Sequence, residues 1–131
     1  MQHDQFVGQV QARARLGSRG AAETAPRASL ETLAERVPST LAVNLASQLP
    51  TEVGEHLRRV AFAADEPRTG VRMSRQEFFD RVAQRSGADP SKAAYEARCV
   101  LQVVDEATSG SLTDKVRQCL DDDLDNALFR H

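Results

Sequence analysis

Tryptophan is absent and tyrosine occurs once, at Tyr95, beside five phenylalanines. A surface that stacks successive nucleic-acid bases needs exposed aromatic rings, and this chain has few. Lysine is scarce as well: fifteen arginines stand against two lysines. Neither half of the chain is basic. Residues 1–65 carry seven basic and seven acidic side chains, residues 66–131 carry ten and twelve, and the net charge is −2. A dedicated nucleic-acid surface is therefore not expected.

Two cysteines, Cys99 and Cys119, are too few for a disulfide framework. No run of about 18 apolar residues occurs, so no membrane-spanning helix is expected. The start, Met1-Gln2-His3-Asp4, lacks the basic and apolar stretches of a secretory leader. A cytoplasmic location follows as the expectation, and the wealth of arginine and alanine, both with GC-rich codons, points to a bacterial source. Nothing alternates at period two long enough to suggest a sheet.

What the sequence does contain, it contains twice. Residues 4–13 align with 76–85 at an offset of 72, matching Phe6 to Phe78, Val10 to Val82 and Arg13 to Arg85. From about residue 27 the offset is 71, matching Arg27 to Arg98, Leu30 to Leu101, Glu35 to Glu106, Leu41 to Leu112, Leu49 to Leu120 and Leu57 to Leu128. A one-residue indel in a turn explains the shift. Repetition at such a period marks a duplicated structural unit.

Each unit reads as four helices. In the first, they run over about 4–15, 19–36, 40–48 and 51–61, with Pro26 expected to kink or split the second. In the second, Ser74 and Glu77 form a capping-box pattern, Ser86-Gly87 ends the first helix, and Asp89-Pro90 opens a long helix over about 90–108. Gly110 reads as the residue closing that helix, and Ser111 as the cap of the next. Asp121, Asp122 and Asp123 open the last helix, where negative charge suits the helix dipole. The expected organisation is residues 1–61 as repeat one, 62–73 as linker and 74–131 as repeat two. The two repeats are expected to pack about a pseudo-twofold axis through helices 19–36 and 90–108, giving an all-α fold.

The openings Asp4-Gln5-Phe6 and Gln76-Glu77-Phe78, the segment from Arg27 to Arg36, and the junction Gln48-Leu49-Pro50-Thr51-Glu52 resemble a prokaryotic family known as domain of unknown function 2267. Nearly the whole chain takes part, although Asp121 stands where the second repeat should have proline. The resemblance implies a duplicated all-helical unit. Its motifs are packing and capping signals, and none is catalytic.

The residues that bear chemistry favour structural roles. Asp121, Asp123 and Asp125 match the start of a calcium loop, but Asn126 takes the place of the turning glycine and position 12 falls beyond His131. A solvated helix start is the better reading. His3 and His131 lie near the chain ends, and His56 has Glu52 four residues earlier but no second histidine on its face, so no zinc site is expected. His56 reads as a helix-surface residue. Cys99 and Cys119 read as inert thiols. Arg13, Arg15, Arg19, Arg58 and Arg59 could meet phosphate or an acidic partner, but helix-end arginines complementing the dipole explain them. No Gly-rich phosphate loop or nucleophile elbow appears. The expectation is a non-enzymatic helical interaction or regulatory accessory protein with no cofactor and no metal, a protein partner, and a homodimer left open. Two alternatives stand beside it: nucleic-acid binding through the arginine-bearing helices, and an enzyme or small-ligand binder with a pocket between the repeats.

Overall fold

The computed structural model describes residues 1–63 and 70–129. Among the described residues there are eight helices and no strand: α1 (His3–Ala14), α2 (Arg19–Arg36), α3 (Ser39–Gln48), α4 (Thr51–Ala61), α5 (Arg75–Ser86), α6 (Pro90–Ala107), α7 (Gly110–Cys119) and α8 (Asp122–Phe129). The fold is all-α, as the periodicity implied.

Side-chain oxygens set several of the helix starts. Ser18 Oγ accepts from the Ala21 amide at 3.1 Å, Ser74 Oγ from the Glu77 amide at 3.1 Å, and the Asp89 carboxylate from the Lys92 amide at 2.9 Å. Each bond satisfies an amide that the first turn leaves without a helical acceptor. Asp121 does the same for Leu124 at 2.8 Å, so the acidic run begins with a cap. The Ser74 half of the capping box forms, while the Glu77 carboxylate lies 3.8 Å from Arg81.

Helices α1 and α5 both end on a left-handed residue, Arg15 at φ 55° and Gly87 at φ 75°. Glycine adopts that conformation freely, whereas an L side chain strains against it. These two C-caps are 72 residues apart, but the next N-caps, Ser18 and Asp89, are 71 apart. The one-residue difference therefore falls within loops 15–18 and 87–89. Three helix pairs also correspond in length: α1 and α5 have 12 residues, α2 and α6 have 18, and α3 and α7 have 10, whereas α4 has 11 and α8 has 8.

Two local expectations need correction. Pro26 does not split α2 or end it; α2 runs unbroken from Arg19 to Arg36 with the proline buried. The ring removes one amide, and the packing of a long helix against several neighbours outweighs that loss. Gly110 does not close α6. It is the first residue of α7, with Ser109 rather than Ser111 at the cap. The α6–α7 connection needs only Thr108 and Ser109, so no left-handed residue is required there.

The two long helices lie at the centre. α2 packs against α1, α4, α5 and α6, while α6 packs against α5, α8, α1 and α2. α3 also meets α7. One core cluster draws on both halves and includes Phe6, Val10, Leu30, Phe78, Val82 and Leu101, all buried. The expected linker 62–73 falls partly outside the described residues. Its described end is pinned to α2: the Gly70 amide donates to the Val37 carbonyl at 3.1 Å and the Val71 amide to the Glu35 carbonyl at 2.9 Å.

Candidate binding site

Pro26 packs beneath a groove of about 540 Å³ between α1, α2 and α4. Val7, Pro26 and Val53 give it apolar walls, and His3, Glu23, Arg27, Glu52 and His56 supply its polar chemistry. Glu23 is held 3.2 Å from Arg19 at the groove's edge. Arg27 donates to a backbone acceptor, the Arg85 carbonyl, at 3.4 Å.

His56 is half-buried. Its burial, and then the positive charge of Arg59, hold the imidazole pKa below its ordinary value and so favour the neutral ring. Arg59 Nη2 lies 3.4 Å from His56 Nδ1. A guanidinium can only donate, so Nδ1 accepts and the neutral ring carries its proton on Nε2. Such a ring offers a hydrogen-bond donor. Arg59 is itself anchored to Glu31 at 2.5 Å.

The corresponding space in the second half is a groove between α5, α6 and α8. Two adjoining hollows of about 450 and 270 Å³ share Arg75, Phe79, Ala94 and Asp123, and the smaller one adds Arg98, Asn126 and Ala127. At the offsets of 72 and 71, these are counterparts of the first groove's residues: Arg75 of His3, Phe79 of Val7, Ala94 of Glu23, Arg98 of Arg27, Asp123 of Glu52 and Ala127 of His56. The frame of one arginine on the long helix and one acid on the last helix is common to both. The histidines and Glu23 belong to the first groove alone.

Between the halves, the ion pairs are reciprocal. Arg13 on α1 pairs with Glu106 on α6, and Arg85 on α5 pairs with Glu35 on α2. Arg85 also donates to Thr32 Oγ1 at 2.6 Å and lies 3.7 Å from Glu31. A cavity of about 160 Å³ at this seam is bounded by Ala25, Ser86, Lys92 and Glu96. Glu96 is 5 % exposed, and burial raises its carboxyl pKa.

The residues singled out in the sequence do not converge on one centre. Asp121 caps α8, Asp123 lies 3.6 Å from Arg75, and Asp125 lies 2.8 Å from Arg117. Among the described residues, no group of three or more His, Cys, Asp or Glu side chains could hold a metal ion. Cys99 is buried and its thiol pKa is raised by that burial. Cys119 is half-buried, with its Sγ 3.3 Å from the Lys115 carbonyl. Arg13, Arg19, Arg58 and Arg59 each pair with a carboxylate, on Glu106, Asp4 and Glu23, Glu55, and Glu31 respectively. Arg15 is the exposed cap of α1. His131 lies outside the described residues. His56 is not a plain surface residue, because it shares a groove with His3. Sequence spacing hid that relationship, since the two stand on helices that meet only in the tertiary fold.

Residues 3–127 match the family described as Uncharacterized conserved protein (DUF2267), and the chain belongs to that family. No curated protein matches it. Among the described residues, no helix is long and apolar enough to cross a membrane.

Proposed function

We propose that this DUF2267 protein is a non-enzymatic helical interaction protein of the bacterial cytoplasm, and that its two grooves are its recognition surfaces for a protein partner. The observation that supports this reading is the repeated placement of the grooves. Arg27 with Glu52 and Arg98 with Asp123 stand at matching positions, while the surrounding residues differ. A duplicated four-helix unit, supported by the equal lengths of the first three helix pairs, accounts for the shared frame. Two linked sites on one body strengthen attachment to a partner that can reach both, because the second contact becomes intramolecular. The donor character of His56 suits recognition better than general-base chemistry.

The test is a photo-crosslinking amino acid at Thr24, on the first groove, with Ser47 as a control position on α3. The expected result is a discrete protein adduct from position 24 that is lost in the Glu52→Lys variant and absent from position 47. Equal adducts at both positions, or no adduct together with substrate turnover by the purified protein, would sink the reading. Sedimentation of the purified chain shows whether a second copy is itself the partner.

A further inference from the structure

Arg98 is half-buried on α6, and its Nε is shielded from solvent with no hydrogen-bond acceptor among the described residues. That Nε–H has lost water and gained no partner, and because it is shielded, it is the terminal nitrogens of this half-buried side chain that the groove offers to a ligand. The group borders the second groove, where Arg75 supplies another guanidinium and Asn126 a side-chain amide. The one carboxylate in that lining is Asp123, 3.6 Å from Arg75, with both side chains more than half exposed. A loose, exposed pair of this kind is weak, and among the described residues no ion pair to Arg98 accompanies it.

The first groove differs where it matters. Its arginine, Arg27, shares the lining with two carboxylates, Glu23 and Glu52. In the second groove Glu23 has become Ala94, and Arg19, the partner of Glu23, has become Pro90. Leaving the histidines aside, the first lining holds one excess negative charge and the second one excess positive charge. Two arginines, planar and rich in donors, are suited to a trigonal or tetrahedral oxyanion.

We infer that the groove between α5, α6 and α8 binds a small oxyanion, held by Arg98 and Arg75 with Asn126 as an additional donor. This groove is one of the two proposed above as partner surfaces, and because the test uses the purified chain alone, its outcome is distinct from that of the crosslinking experiment. Carboxylate and phosphate share the required chemistry, so both are used as probes.

The experiment follows the arginine Nε–H signals of the full chain by ¹⁵N NMR while inorganic phosphate or succinate is added at constant ionic strength. The Arg98 signal is expected to move saturably with at least one of them, while Arg27 stays still. Response to phosphate alone assigns a phosphate-type ligand, response to succinate alone a carboxylate, and response to both a site indifferent to oxyanion shape; each supports the inference. Ala94→Glu, which restores to this groove the acid found in the first, should weaken binding about tenfold or more, as should Arg98→Gln read through the Arg75 signal. An Arg98 signal unmoved by either anion at millimolar concentration overturns the inference. Equal movement at Arg27 and Arg98, or binding undiminished in Ala94→Glu, overturns it too, because ion screening would then suffice.

Discussion

Gly54 on α4 lies so close to α3 that a Cβ at position 54 would sit 2.7 Å from the carbonyl oxygen of Ala46. That distance is below any normal contact, and the obstacle is backbone, which cannot rotate aside. The absence of a side chain at residue 54 therefore permits the close crossing of α3 and α4. In the second half the corresponding residues are Arg117 and Asp125, which face each other as an ion pair at 2.8 Å. The same position is a backbone contact in one half and a long polar bridge in the other.

Gly54→Ala should lower stability by about 1–3 kcal/mol, the scale of an overpacked contact, despite the better helix propensity of alanine. Gly8→Ala is the control. Gly8 is also inside a helix, but no atom lies within 4 Å of its Cβ position, so alanine should stabilise by about 0.5–1 kcal/mol. Urea melts of both variants decide it. A stabilised Gly54→Ala would show that α3 and α4 can move apart at little cost.

The contrast at residue 54 also shows what a single sequence conveys. Helix positions were legible because caps and apolar spacing act locally: Ser74, Asp89 and Gly87 do in the structure what their residue types imply. The offsets of the internal alignment were equally legible, and the caps locate the indel in the loops after α1 and α5. The grooves were not legible. His3 and His56 are 53 positions apart in the chain, and only the packing of α1 against α4 places both on one groove. Pro26 misled as a break in the helix because local propensity counts the lost amide but not the tertiary contacts that keep α2 continuous.

Leu30 and Leu101 occupy matching places on α2 and α6 and are 0 and 2 % exposed. Truncating either to alanine should cost roughly 2–5 kcal/mol. The acidic start of α8 should separate by role. Asp121 caps the Leu124 amide, so Asp121→Ala should cost about 0.5–2 kcal/mol. Asp122 is exposed in the first turn, and Asp122→Ala should cost less than about 1 kcal/mol. Denaturant titrations of the four variants give the order directly. A larger loss at Asp122 than at either leucine would mean that the acidic run does more than start a helix.

The reciprocal pairs between the halves should be unequal in energy. Glu106 and Arg13 have side chains 54 and 28 % exposed, whereas Glu35 is only 7 % exposed beside Arg85 at 29 %. Removing Arg85 leaves the buried Glu35 charge with Arg81 at 3.5 Å as its nearest cation, and also frees the Thr32 oxygen. Arg85→Ala should approach the roughly 3–5 kcal/mol cost of breaking a buried pair. Arg13→Ala should stay near the 0–1 kcal/mol of a surface pair. Glu35→Gln in the Arg85→Ala background should recover part of the loss, since it removes the stranded charge. Equal losses for the two arginine variants would show that burial does not distinguish the pairs.

Glu96 gives the seam between the halves a pH dependence whose sign is fixed. Its carboxyl is buried, and desolvation raises the folded-state pKa, with Lys92 opposing and Asp89 assisting the shift. The unfolded chain therefore loses the proton first as pH rises. The stability contributed by the protonated group is fully present below the ordinary glutamate pKa of about 4.3. It is lost as pH climbs through the raised folded pKa. Replacing Glu96 with glutamine keeps the shape and removes the ionisation, so Glu96→Gln should melt higher than the unaltered protein at pH 7. The difference should shrink steadily as the pH falls toward the ordinary carboxylate range. Thermal melts of both proteins from pH 4 to 8 measure it. A Glu96→Gln variant that melts lower at pH 7 would mean that the ionised carboxylate, favoured by the charge of Lys92 one turn earlier on α6, stabilises the fold despite its burial.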